Sequence, residues 1–169
     1  MSSSFSKFII LGCSGSGKST FAKGLQVRTG LPLFHLDNVW WRADRTHIPR
    51  EEFDAKLADI LAGERWIVEG DYSRTYEVRF KACDTVIFLD FPEKVCMEGI
   101  AERVGKFRTD IPWQEDTLDD ELVRLVRNYA TENRPVVYSL IKKYNTKQVL
   151  IFRSRAEADR WLQLLPKMM

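Results

Sequence analysis

Glycine, serine and lysine residues near the start of the chain have the spacing of a phosphate-binding loop. The segment Gly12–Ser19 reads GCSGSGKS and satisfies the pattern G-x-x-x-x-G-K-[ST] at every fixed position. Glycines let successive backbone N–H groups point into one concavity, and the start of a following helix attracts the same anion. The pattern predicts that the phosphates of a nucleotide are bound by Gly12, Ser14, Gly15, Ser16, Gly17, Lys18, Ser19 and Thr20.

Two side chains of this loop carry the expected chemistry. Lys18 would bring a positive charge to the β- and γ-phosphates, and the Ser19 hydroxyl would bind Mg²⁺. The alternative is a flexible Gly/Ser turn with a chance lysine. That alternative is disfavoured because the apolar run Phe8–Leu11 predicts a strand before the loop, and the residues from Lys18 to about Arg28 predict a helix after it.

Acidic residues follow three other apolar runs that predict strands, namely Asp37, Glu69 and Asp90. In open α/β sheets, ligands bind at the carboxyl ends of the strands. Asp37 is expected to position a phosphoryl acceptor, although aspartate is also common as a turn cap. For the acid on the magnesium side, the apolar run before Asp90 favours that residue over Glu69. Because Asp90 is followed by Phe91-Pro92 and also reads as a helix cap, both acids remain candidates.

Arginines follow the predicted helix that ends near residue 104. Arg103 and Arg108 lie in the segment ERVGKFR, where a mobile loop could bring them over a transferring phosphoryl group. The alternative is a solvated basic face that pairs with Glu102 and with the acidic run Glu115–Glu121. We favour a catalytic role for these two residues. For Arg124 and Arg127, further along the chain, neither interpretation is favoured.

Aromatic residues follow Asp37 closely. Trp40 and Trp41 could stack on an acceptor or close the cleft, or they could pack on the core, because two exposed tryptophans are costly. His35 lies within a predicted strand. It is expected to pack there or to support a neighbouring ligand, and not to act as a catalyst.

Strand and helix patterns alternate along the chain, which predicts an α/β protein with a parallel sheet covered on both faces. The second strand is predicted over residues 31–36 and the last over Gln148–Phe152. A long helical region from Leu118 to Lys143 is expected to break or kink at Pro135. Ser154 is predicted to cap the last helix. With 169 residues and 44% hydrophobic content, one domain over residues 1–169 is expected.

Composition excludes several function classes. A formal net charge of +2 does not support nucleic acid as the main partner. Three cysteines, with no C-x-x-C pair, predict a reduced protein without disulfides or a zinc site. No signal peptide and no run long enough to span a bilayer is present in the sequence. A cytoplasmic protein without a membrane partner is therefore expected.

Five motifs extend the argument beyond single residues. GCSGSGKST, LPLFHLDNVWW, WIVEGDYS, DTVIFLDFP and FRSRAEADRWL occur in this order. Together they resemble the adenylate-kinase-like P-loop kinases and, within them, the group called DNA topology modulation proteins (FlaR-related). The resemblance implies a three-layer P-loop fold like that of nucleoside monophosphate kinases, with a five-stranded parallel sheet in the order 2-3-1-4-5. It also implies transfer of the γ-phosphoryl group of ATP, with Mg²⁺, to a small molecule that is nucleotide-like or nucleoside-like.

The resemblance also implies roles for particular residues. Glu69-Gly70 takes the place of an Asp-Gly pair that helps to hold magnesium in such kinases, which favours Glu69 over Asp90. Arg103 and Arg108 stand where lid arginines occur, with a short lid at about 105–117. The group's label leaves an alternative open, a nucleotide-binding regulator or ATPase associated with DNA topology. The sequence has no helix-turn-helix signal and no strongly basic patch in its support.

Overall fold

A computed structural model describes residues 5–167 of the chain, in which strands and helices alternate as the sequence predicts. The strands are β1 (Lys7–Gly12), β2 (Leu33–His35), β3 (Trp66–Glu69), β4 (Thr85–Leu89) and β5 (Gln148–Phe152). The helices are α1 (Lys18–Thr29), α2 (Leu36–Trp40), α3 (Arg50–Ala62), α4 (Tyr76–Ala82), α5 (Glu93–Glu102), α6 (Asp120–Glu132), α7 (Arg134–Lys143) and α8 (Arg155–Leu164). A short 3₁₀ helix, Ser73–Thr75, precedes α4.

The strands form one parallel sheet in the order β2-β3-β1-β4-β5, which confirms the predicted α/β fold. β1 lies at the centre, where Ile9 pairs with Val68 of β3 and with Val86 of β4. β3 and β4 are buried along their whole length, as expected for apolar runs in a sheet covered on both faces. All five carboxyl ends meet at one edge of the sheet, and β1 delivers the phosphate loop to that edge.

The second strand is shorter than predicted. β2 covers only Leu33–His35, and the chain turns into α2 at Leu36. Leu36 is fully buried in the core, and the backbone N–H of Trp41 donates back to the carbonyl of Asp37. Asp37 therefore lies in the first turn of a helix, and the prediction that it ends the strand is wrong.

The predicted break at Pro135 is confirmed. α6 ends at Glu132 and α7 begins at Arg134, with the proline in the first turn of α7, where its missing N–H does no harm. The predicted cap of the last helix is also confirmed, because the Ser154 hydroxyl accepts a hydrogen bond from the backbone N–H of Glu157.

Two further observations concern the described residues. Within residues 5–167, none of the helices has the length and apolar character needed to cross a bilayer. The three cysteines, Cys13, Cys83 and Cys96, are free and buried.

Candidate active site

The phosphate loop between β1 and α1 rests directly on α5. Gly15 has a φ of 83°, in the left-handed region that glycine adopts without strain. A Cβ atom on Gly15 would lie 2.0 Å from the carbonyl oxygen of Cys96, and one on Gly99 would lie 2.0 Å from the carbonyl oxygen of Gly15. Two glycines therefore allow a backbone contact that no larger residue permits, and this contact positions the loop.

Polar groups of the loop fit a polyphosphate ligand. Lys18 is 8% exposed, and its Nζ donates a hydrogen bond to the carbonyl oxygen of Cys13 at 3.0 Å. Ser16 is 1% exposed, and its hydroxyl has no hydrogen-bond partner among residues 5–167. A buried hydroxyl without a partner is costly, and a phosphate oxygen would supply one.

The acid that lies beside the loop is Glu69. Its Oε1 accepts a hydrogen bond from Ser19 Oγ at 3.0 Å and lies 2.6 Å from Nδ1 of His35. Hydroxyl and carboxylate oxygens are suitable ligands for Mg²⁺. In the described part of the chain, no three His, Cys, Asp or Glu side chains form a group that could hold a metal.

Asp90, the other candidate, is committed to a separate network. Its carboxylate accepts hydrogen bonds from Arg134 (2.7 and 2.9 Å), from the hydroxyl of Tyr138 (2.6 Å) and from Arg153 (3.1 Å). Burial alone would raise the pKa of Asp90, but these partners outweigh it and lower the pKa below the ordinary aspartate value. Asp90 thus ties the end of β4 to α7 and to the start of α8. Of the two acids, Glu69 is the one that contacts Ser19.

Asp37 contacts the turn that follows β3. Its Oδ1 accepts a hydrogen bond from the hydroxyl of Tyr72 at 2.6 Å. Burial raises the pKa of Asp37, the charge of Glu69 raises it further, and the bond from Tyr72 offsets only part of the increase. A carboxylate with a raised pKa is better suited to accept a proton near neutral pH.

A cleft of about 330 Å³ joins the phosphate loop to the predicted arginines. Ser19, Arg103 and Arg108 line it together with Arg155. No acceptor within residues 5–167 forms a hydrogen bond or ion pair with the guanidinium of Arg103. Arg124 lies outside this lining, on an exposed surface 3.8 Å from Glu121.

Arg108 is already paired. It donates to Glu115 at 2.8 Å, and it contacts both carboxylate oxygens of Asp110. The proposed pairing with the acidic run is therefore confirmed for Glu115, although the guanidinium also lines the cleft. Arg127 is exposed on α6 and, like Arg124, is absent from the cleft lining.

Sequence reasoning missed Asp110. This residue is 2% exposed, and its Oδ2 accepts a hydrogen bond from Ser19 Oγ at 2.8 Å. The two residues are 91 positions apart. No motif joins them, and an aspartate in a polar loop carries no signal of its own.

The segment 105–117, which contains Asp110, spans the site and reaches the residues after β2. Asn38 Nδ2 donates to the carbonyl oxygen of Thr109 at 2.9 Å. The rings of Trp41 and Trp113 meet edge to face with centroids 4.9 Å apart. Trp40 differs from Trp41, because it packs edge to face on the core residue Phe53 at 5.4 Å.

Arg79 fixes the backbone that follows Glu69. This arginine is fully buried, and it donates to the carbonyl oxygen of Gly70 at 2.8 Å and to Thr75 Oγ1 at 3.0 Å. It also contacts the carbonyl oxygens of Asp71 and Tyr72. One guanidinium therefore binds the backbone of the turn after β3, and these contacts fix the positions of Glu69 and Tyr72.

The fold of this chain is similar to that of several solved structures. No protein-family model and no curated protein matches the chain. A shikimate kinase from Acinetobacter baumannii in complex with shikimate has a TM-score of 0.61 and 16% identity, over 95% of this chain and 93% of that one. A sugar kinase from a Janibacter species has a TM-score of 0.54 and 19% identity, over 92% and 89%. Shikimate kinase from Aquifex aeolicus has a TM-score of 0.52 and 16% identity, over 92% and 90%.

At these identities the similarity establishes the fold alone. The chain has the P-loop kinase fold, with helices around a parallel sheet in the order 2-3-1-4-5. The predicted fold class is thereby confirmed.

Proposed function

We propose that the protein is an ATP-dependent phosphotransferase that uses Mg²⁺ and acts on a small-molecule acceptor. The observation that carries this proposal is the cleft where Arg103, which has no hydrogen-bond or ion-pair partner among residues 5–167, faces the phosphate loop and Ser19. Phosphoryl transfer requires little beyond positioning and neutralisation of developing negative charge. A cation without a partner beside a phosphate-binding loop is suited to that task. The P-loop kinase fold and the similarity to solved kinases support the same class.

The residues of the loop and of the cleft have separate roles in this proposal. The loop amides and Lys18 hold the β- and γ-phosphates of ATP. Ser19 and Glu69 hold Mg²⁺, which supplies charge neutralisation on the phosphate oxygens when bound. Arg103 and Arg108, which both line the cleft, neutralise the transferring group. The segment 105–117 serves as a lid that keeps water away from the cleft.

Asp37 is the residue that we assign to the acceptor. It orients the acceptor hydroxyl and accepts its proton, which its raised pKa favours. The sequence motifs favour a nucleotide-like or nucleoside-like acceptor, and Trp40, Trp41 and Tyr72 supply aromatic surface nearby. The solved neighbours are a shikimate kinase and a sugar kinase, so other hydroxyl compounds belong in the same screen. Membership in the DNA topology modulation group rests on the HLDNVWW and EGDYS motifs.

A substrate screen tests the proposal. Purified protein is incubated with Mg·ATP and with nucleosides, nucleoside monophosphates, sugars or shikimate, and ADP formation is measured. We expect turnover to depend on an acceptor and to fall by about 100-fold or more in Lys18→Ala, while the fold remains intact. Lys56→Ala, an exposed lysine on α3 paired with Glu52, is the matched control.

A different result would favour the alternative function. ATP turnover that rises with DNA and with none of the small molecules would indicate an ATPase associated with DNA. Salt-dependent DNA binding would accompany that outcome. Transfer at the wild-type rate in Lys18→Ala would exclude the proposed site.

A further inference from the structure

Two carboxylates approach one hydroxyl at the phosphate loop. Ser19 Oγ lies 3.0 Å from Oε1 of Glu69 and 2.8 Å from Oδ2 of Asp110. A serine hydroxyl has a single hydrogen to donate, so it can satisfy only one of the two oxygens at a time. The other carboxylate oxygen then faces a lone pair. The single hydroxyl proton of Ser19 therefore cannot bridge to both carboxylates at once.

Nearby cations compensate this charge only in part. Glu69 and Asp110 are 3% and 2% exposed, so water screens neither of them well. Arg108 contacts Asp110, but it divides its charge between Asp110 and Glu115. Lys18 directs its Nζ to a backbone carbonyl. Glu69 also lies 2.6 Å from Nδ1 of His35. Buried carboxylates are costly without a cation or a full set of donors, and a bound cation would stabilise both of them.

The adjoining loop independently indicates a charged ligand at this place. The hydroxyl of Ser16 is buried and has no partner among the described residues, and the Arg103 guanidinium facing the same cleft is also unpaired there. An anionic polyphosphate would satisfy both groups. A cation between that polyphosphate and the two carboxylates would satisfy the oxygens around Ser19.

We propose that Asp110 is a second carboxylate ligand of Mg²⁺, in addition to Ser19 and Glu69, and that the segment 105–117 positions it at the phosphate loop. This inference rests on the function proposed above. A hydroxyl, two carboxylates and substrate phosphates form an oxygen set of the kind that Mg²⁺ prefers. Arg108 contacts both oxygens of Asp110 and so orients the carboxylate, as partners of metal ligands commonly do.

The charge of Asp110 should affect nucleotide affinity in opposite directions with and without Mg²⁺. When Mg²⁺ is absent, the charge of Asp110 repels the phosphates of a nucleotide. When Mg²⁺ is present, the same charge binds the ion that the phosphates also bind. Asp110 therefore makes the affinity for nucleotide depend more strongly on Mg²⁺, and it discriminates Mg·ATP from free ATP.

Calorimetry with a non-hydrolysable ATP analogue tests the inference without any acceptor. The dissociation constant is measured with Mg²⁺ and with EDTA for wild type and for Asp110→Asn. We expect the variant to bind the Mg²⁺ complex about tenfold more weakly, and to bind the free analogue as tightly as wild type or more tightly. Binding of the free analogue also shows that the variant is folded.

The matched control is Asp116→Asn. It makes the same chemical change in the same segment, at an exposed position where Asp116 pairs with Arg45. Its affinity ratio between the two conditions should equal that of wild type. Asp110→Glu, which keeps the carboxylate, should recover part of the Mg²⁺ dependence.

Three outcomes separate this inference from the proposed function. Equal weakening of both affinities in Asp110→Asn assigns the residue a structural role and overturns the inference. An unchanged ratio in that variant, with Mg²⁺-dependent binding in wild type, also overturns it and leaves the proposed function standing. Failure of wild type to bind the analogue under either condition rejects both.

Discussion

A side chain at Gly99 would collide with the phosphate loop, because its Cβ would lie 2.0 Å from the carbonyl oxygen of Gly15. The obstacle is backbone, which cannot rotate away as a flexible side chain can. The position of the loop is thus set by a helix that begins 78 residues after Gly15. The first prediction follows from this contact.

Gly99→Ala should destabilise the protein, although it places a better helix former inside α5. Helix propensity alone favours alanine by about 1 kcal/mol. Steric overlap with Gly15 should reverse that sign and cost about 1–3 kcal/mol, and nucleotide affinity should fall as the loop shifts. Urea unfolding and analogue binding measure the two effects. Glu98→Ala, at an exposed neighbouring position, is the control, and equal stability of the two variants would contradict the prediction.

Arg103→Ala should separate catalysis from stability. The guanidinium has no partner in the described part of the chain, so its removal should hardly change the melting temperature. Loss of a cation at the transferring phosphoryl group should lower kcat by about 100-fold. Arg124→Ala removes an exposed arginine that pairs loosely with Glu121, and it should keep the wild-type rate. A large decrease in melting temperature for Arg103→Ala would instead indicate a structural role.

The rate should fall at acid pH as Asp37 becomes protonated. Burial raises the pKa of this carboxyl above its ordinary value of 3.8, so the acid limb of kcat/KM should lie above that value. The hydroxyl of Tyr72 donates to Asp37 and lowers its pKa. Tyr72→Phe should therefore move the limb to higher pH, and Asp37→Asn should abolish transfer. A limb that moves to lower pH in Tyr72→Phe would contradict the assignment of Asp37 as the base.

Asp90 should contribute to stability and not to magnesium binding. Its pKa is lowered in the folded state, so its contribution is present above the unfolded pKa and is lost as the pH falls through the folded value. Asp90→Asn should cost about 1–2 kcal/mol at neutral pH, and the difference from wild type should shrink below about pH 4. Unfolding experiments at several pH values measure this change.

The same variant distinguishes the two acids considered for magnesium. Asp90→Asn should leave the Mg²⁺ dependence of analogue binding unchanged, whereas Glu69→Gln should weaken it. A Glu69→Gln variant with wild-type Mg²⁺ dependence would reject Glu69 as a ligand. That result would also remove one of the two carboxylates near Ser19.

The sheet and the phosphate loop could be predicted from the sequence because their signals are local. An apolar run such as Gln148–Phe152 predicts a strand wherever it occurs, and the structure confirms its bounds. The loop glycines, with Lys18 and Ser19, have a fixed spacing imposed by the phosphate that they bind. Such features can be predicted without reference to the rest of the chain.

Contacts between distant segments could not be predicted in this way. Asp110 lies against Ser19 only because the segment 105–117 crosses the site, and side chains such as Asn38 and Trp41 hold it there. The network around Asp90 likewise depends on Arg134 and on other partners far along the chain. The short β2 has the same origin, because burial of Leu36 outweighed the local preference for a longer strand.

The contact between Gly15 and α5 also determines where insertions can be tolerated. Gly99 and Arg103 are one helical turn apart, so the loop contact and the unpaired guanidinium lie on one face of the helix. One extra residue between them would rotate Arg103 by about 100° and move it by about 1.5 Å along the axis. The guanidinium would then leave the cleft while the fold remained intact. The interval between the two residues is therefore a fixed length in this protein.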